Sequence, residues 1–234
     1  MNVGTRNPLA MNVGTRNPLA LPAVCFVVVA MTMSLIVRAA TAVAGTWSDA
    51  NCTGTSYPVS TWKRSQAKSY AQKGNYEGYE WGGGCYKLND RDDTPNAPDS
   101  GGEGADCSGY TFKSWALRPS YGASGFTFHE HERNIHGPYS TASFVSPCST
   151  CPFKLLSSKT YSATQYMDAF VYNSGGGGHI GMIYSEGSGG TDLIVEAKSD
   201  ALGTRIAWTD YRQQSAYRAI AREGWTPECY PRCT

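Results

Sequence analysis

Apolar positions change their rhythm three times along this chain. Residues 19–37, LALPAVCFVVVAMTMSLIV, form an almost unbroken apolar run. Residues 60–117 carry scattered apolar positions, partly at helical spacing. STWKRSQAKSYAQK (60–73) predicts a helix, with Ser60 or Thr61 as its cap and Gly74 as its stop. After Cys107, SGYTFKSWAL sets Phe112, Trp115 and Ala116 at helical spacing, with Pro119 as a stop. Further on, MDAFVYN, HIGMIYS, DLIVEAK and TRIAW are short, alternating and separated by glycine or asparagine, and predict strands. YRQQSAYRAIAR (211–222) fits a helix or a strand. Residues 87–105 and 118–160 are polar and carry no clear period. Helix first and meander second predicts an α+β fold.

The amino-terminal run has its own logic. The first twenty residues of the chain are one decapeptide, MNVGTRNPLA, written twice. Arg6 and Arg16 precede the apolar run, and Ala42-Val43-Ala44 follows it before Gly45. A charged start, an apolar middle and an A-x-A site predict a signal peptide over 1–44, the alternative being an uncleaved anchor. A single secreted domain, 45–234, with no membrane attachment after cleavage, is the expectation. Net charge is +1, so no bulk electrostatic attraction to nucleic acid is expected. Cys25 leaves with the signal. Cys52, Cys85, Cys107, Cys148, Cys151, Cys229 and Cys233 remain, and export favours disulfides. Seven is odd, so at least one thiol is left over or pairs between chains.

Two stretches carry chemistry. In GADCSGYTF (104–112), Asp106 is a good N-cap for a helix starting at Cys107. Free N–H groups and the helix dipole there favour a thiolate, with a pKa lowered from about 8.5 toward roughly 3.5–7.5. The plainer alternative is a buried half-cystine. In GGGGHIGMIYSEGSGGTDLIVEAK (175–198), a four-residue turn, Glu186 to Gly189, pairs Ser185 with Gly190 and sets His179 opposite Glu196. A slip of two residues keeps both on one face. A carboxylate beside an imidazole is the orienting half of a nucleophile triad, and also an ordinary surface pair.

GYEWGGG (78–84), DCSGYTFKSW (106–115), GHIGMIY (178–184) and IVEA (194–197) resemble, in this order, the motifs of the NlpC-type cysteine peptidases. These are secreted papain-like enzymes that cut peptide bonds in bacterial cell wall. The resemblance spans about 60–222. It implies a papain-like fold, with amino-terminal helices and the nucleophile helix packed on a small antiparallel sheet. It implies Cys107 as nucleophile, His179 as base and Glu196 as third residue. Tyr79 matches an aromatic whose hydroxyl lines the site, and Asp106 and Ser108 match residues that hold the substrate's amino end. MDAF at 167 resembles the family's Gly-Asp strand entry, with Met167 in place of glycine. Glu196 stands where histidine is commonest, and the extra cysteines are not a family trait.

Other motifs drop out. HEHERNIH (129–136) lacks the second histidine of H-E-x-x-H and is expected to be a solvated loop. DRDDTP has Pro95 where a calcium loop requires glycine. PCSTCP suggests a structural disulfide, and GGGG at 175 a flexible strand entry. The expected activity is a cysteine hydrolase acting as a monomer on a cell-wall peptide or another amide, without metal or organic cofactor. An amidase or acyltransferase on the same fold is one alternative, and a disulfide-braced secreted binding protein is another.

Overall fold

The computed structural model describes residues 52–88, 104–119 and 128–228. The expected signal segment, the DRDDTP stretch, Cys229 and Cys233 lie outside the described residues. The architecture is α+β, as the pattern predicts. Strand β1 (Trp62–Lys63) leads into helix α1 (Arg64–Lys73), and helix α2 (Cys107–Ser114) follows. Helices α3 (Phe128–His131) and α4 (Thr141–Val145) are short. Then come strands β2 (Phe153–Leu155), β3 (Ala169–Asn173), β4 (Gly178–Glu186), β5 (Asp192–Ser199), β6 (Gly203–Thr209), β7 (Arg218–Arg222) and β8 (Trp225–Thr226). Six of the strands form one antiparallel sheet in the order β2-β7-β3-β4-β5-β6. YRQQSAYRAIAR resolves as a turn followed by strand β7.

Helix α1 begins later than its sequence suggests. Trp62 and Lys63 pair in parallel with Trp225 and Thr226, which holds them extended. The cap is therefore Lys63 rather than Ser60 or Thr61, with Gln66 Oε1 accepting its backbone N–H at 3.2 Å. Gly74 ends the helix as expected.

Helix α2 is buried along its whole length and packs on β4 and β5. Its polar residues therefore need internal partners. Thr111 Oγ1 donates to the Cys107 carbonyl at 2.9 Å. The Lys113 ammonium donates to the carbonyls of Glu130 and Arg133 at 3.1 and 3.0 Å, and also to that of His131. This capture corrects the solvated-loop reading of HEHERNIH. Part of it is α3, and the His131 ring is fully buried between the carbonyls of Ser56 and Leu117. Burial, then the Lys113 charge, pushes His131 down to about 4.

Backbone packs directly on backbone at the start of α2. A β-carbon on Gly109 would lie 2.0 Å from the Gly83 carbonyl oxygen, and one on Gly83 would lie 2.1 Å from that of Gly104. The GGG turn is thus wedged against α2, and the Cys52–Cys85 disulfide ties the amino-terminal arm to the same turn. The strand entry before β3 has an unusual backbone. Met167 sits at φ 64°, the left-handed region that favours glycine, and is fully buried. Its carbonyl accepts from Trp115 Nε1 at 2.8 Å, and its side chain fills the core. A bulky side chain is thus held in a backbone conformation that glycine adopts most easily.

Gly109→Ala is expected to destabilise by about 1–3 kcal/mol or more, because neither backbone can yield. Gly176→Ala, where an added β-carbon meets nothing within 4 Å, should leave the melting temperature close to wild type. Thermal unfolding of the two variants checks the contrast.

Candidate active site

Asp106 caps α2 and does more than cap. Its Oδ1 accepts from the Gly109 amide at 2.7 Å and from Ser108 Oγ at 3.1 Å, and its Oδ2 accepts from the Gly82 amide at 3.1 Å. Its own amide donates to the Gly83 carbonyl at 3.1 Å. One carboxylate therefore fixes both the helix start and the glycine turn. This leaves Asp106 engaged as a tether, with both oxygens already bonded.

Cys107, the first residue of the helix, is the free cysteine among the described residues; Cys52–Cys85 and Cys148–Cys151 are paired. Polar groups of Ile180 and Ser108 stand close enough to its sulfur to favour the thiolate. The thiol thus lies against β4 beside the residue that follows His179. Cys107 also lines a cleft of about 360 Å³ with Trp81, Gly82, Ser108, His136 and Gly178 among its walls.

His179 and Glu196 meet, by a route other than the expected one. The β4–β5 loop spans five residues, 187–191, because Glu186 pairs with Asp192. Gly189 and Gly190, at φ 62° and 85°, supply the left-handed turn. An odd loop alone would turn Glu196 to the other face of the sheet. A bulge between Ile183 and Ser185 inserts one unpaired residue and restores the parity. From Met182↔Val195 the register continues to Gly181 opposite Glu196, two residues from the expected pairing. The missing side chain at Gly181 leaves room for the diagonal: a β-carbon there would stand 2.6 Å from Ile194 Cγ2 and 3.2 Å from Glu196 Oε2. Glu196 Oε2 lies 2.5 Å from His179 Nε2, with both residues buried.

The charges assign the protons. Burial alone would raise Glu196, but the hydrogen bond and charge of His179, with Lys198 and Tyr211, bring it down to about 2. An ionised carboxylate can only accept, so Nε2 carries the hydrogen and Nδ1 keeps a lone pair. Burial pushes His179 down, against the opposing pull of Glu196. Burial also pushes the Cys107 thiol up to about 12, with the Asp106 charge adding to it and the polar groups of Ile180 and Ser108 opposing. The expected low-pKa thiolate is therefore corrected. Cys107 rests as a thiol, because burial of the helix start outweighs its N–H groups and dipole, and burial of His179 favours the neutral imidazole.

Tyr79 is buried, and its phenol is raised by burial and then by Cys107 and Asp106. Ser108 Oγ lies 2.5 Å from His136 Nε2. His136, whose Nδ1 is 2.8 Å from the Gly137 carbonyl and whose amide donates to Gly82 O, is a site residue that the motifs did not indicate. It is the last residue of HEHERNIH, the aperiodic stretch expected to be a solvated loop.

The two disulfides fit a protein outside the cytoplasm. Among the described residues, no helix is long and apolar enough to cross a membrane. No protein-family model, curated protein or solved structure matches this chain.

Alkylation of Cys107 by iodoacetamide should be slow below pH 7 and climb steadily through the alkaline range. A rate that has levelled off by pH 7 would contradict the buried-thiol assignment. The stabilisation from ionised Glu196 is complete above its ordinary 4.5 and is lost as the pH falls toward about 2. The stability gap between wild type and Glu196→Gln should therefore narrow over that window in urea titrations.

Proposed function

We propose that this chain is a secreted cysteine hydrolase with an NlpC-type, papain-like fold, acting as a monomer on amide bonds in peptidoglycan stem peptides. One observation carries the reading. An unpaired cysteine opens a capped, buried helix, lines a cleft, and rests on the strand that presents a histidine bonded to a buried carboxylate. The sequence motifs supply the substrate class, and the signal-like segment and disulfides support secretion.

The chemistry follows from the proton positions. His179 Nδ1 takes the thiol proton as Sγ of Cys107 attacks the carbonyl carbon. Backbone N–H groups at the start of α2 stabilise the oxyanion. The imidazolium then gives its proton to the leaving amine, and the C–N bond breaks to a thioester. Water, deprotonated by His179, releases the acid and restores the thiol. Glu196 stabilises the imidazolium formed midway. The sequence of steps requires neither metal nor organic cofactor.

Purified cell wall digested with the full mature chain tests the reading. New peptide fragments are expected. Cys107→Ala should lower their release on the order of 10⁴-fold, and Glu196→Gln should retain more activity than Glu196→Ala. Release by Cys107→Ala at the wild-type rate would sink the proposal.

A further inference from the structure

We infer that Arg205 and Tyr211 are positioning residues for this reaction, fixing both carboxylate oxygens of Glu196 and, through it, the ring of His179. The inference rests on the hydrolase reading above. Strand β6 pairs Arg205 directly with Glu196. Arg205 Nε donates to Glu196 Oε1 at 2.8 Å, and its Nη2 stands 2.7 Å from the same oxygen in an ion pair. Tyr211 Oη donates at 2.8 Å to Oε2, the oxygen that also accepts His179 Nε2. Every bond restricts where the second lone pair of Oε2 can point. An ion-paired guanidinium N–H on one oxygen and a hydroxyl on the other leave the carboxylate a single orientation.

Tyr211 is itself fixed. It lies after β6, in the turn that carries the chain back to β7. Its ring stacks on Tyr217 with centroids 4.3 Å apart, and Tyr217 meets Tyr172 edge-on at 4.8 Å. Tyr172 is the cross-strand neighbour of His179 on β3. Tyr211 also stands edge-on to the His179 ring at 5.8 Å, and its hydroxyl accepts from Lys198 Nζ at 2.8 Å. The imidazole is thus enclosed by Tyr172 on β3, by Glu196 and Lys198 on β5, by Arg205 on β6, and by Tyr211. Lys198 and Arg205 oppose the imidazolium, and Glu196 favours it. The clamp holds the base in place while limiting how readily it takes up a proton.

Three variants separate positioning from plain structure. Tyr211→Phe removes a hydroxyl and keeps the ring stack. Arg205→Lys keeps the charge and loses the Nε–H donor, and Arg205→Gln loses both. The readouts are fragment release from purified cell wall across pH and the nitrogen-15 spectrum of the His179 ring. Tyr211→Phe and Arg205→Gln are each expected to slow release about tenfold. Neutral His179 is the active form, and losing the Arg205 charge raises its proton affinity, so the acid limb of Arg205→Gln should move to higher pH. Arg205→Lys should keep the wild-type limb. The Nε2 proton signal should move upfield in Tyr211→Phe. If Tyr211→Phe and Arg205→Gln match wild type in rate, acid limb and ring signal, the positioning role is overturned, while loss of activity in Cys107→Ala leaves the hydrolase reading standing. If Cys107→Ala stays active, the hydrolase reading falls, and an unmoved ring signal would overturn the clamp as well. If Arg205→Gln does not fold, Tyr211→Phe and Arg205→Lys decide by the same criteria.

Discussion

The Asp106 carboxylate is the point on which the rest of the site depends. Three donors converge on it: the helix amide of Gly109, the hydroxyl of Ser108 and the turn amide of Gly82. A helix start is stabilised by any good cap. This cap also joins α2 to a turn that is distant in sequence, and the junction is close enough that Gly83, Gly104 and Gly109 cannot carry a side chain. The position of Cys107 relative to β4 follows from that contact. The cysteine is not placed by its own interactions so much as by the glycines around it.

A second constraint is parity. His179 and Glu196 share a face only because an odd loop and a one-residue bulge cancel. Either irregularity alone would put the carboxylate on the opposite side of the sheet. Gly181 then allows the diagonal contact that the register requires. The two devices are separate in sequence and useless apart, which ties the hairpin's shape to the chemistry of its histidine.

Much of this was legible in the residues. The strands β3 to β6 appear within a residue or two of their predicted limits, although the middle ones are buried on both faces, β4 over 179–183 and β5 over 194–197. Asp106-Cys107 at a helix start and the His179–Glu196 pair were likewise readable from pattern and spacing. What was not readable came from tertiary contact. The start of α1 moved because Trp62 and Lys63 are taken by β8. HEHERNIH looked solvated, yet Lys113 and the carbonyls of Ser56 and Leu117 bury its His131. His136 reaches the cleft on a connection with no period. The charge state of Cys107 depended on how deeply α2 is enclosed, and an N-cap signature says nothing of enclosure.

The central claim is that the Cys107 sulfur becomes covalently bonded to the substrate's acyl group. The direct measurement is intact and peptide-level mass spectrometry on the full mature chain, quenched in acid shortly after mixing with purified cell-wall fragments. The account predicts an acyl adduct on the peptide containing Cys107, labile to hydroxylamine as a thioester is, and absent in Cys107→Ala. Turnover of those fragments with no adduct on Cys107 under any quench time, and with Cys107→Ala equally active, would contradict it.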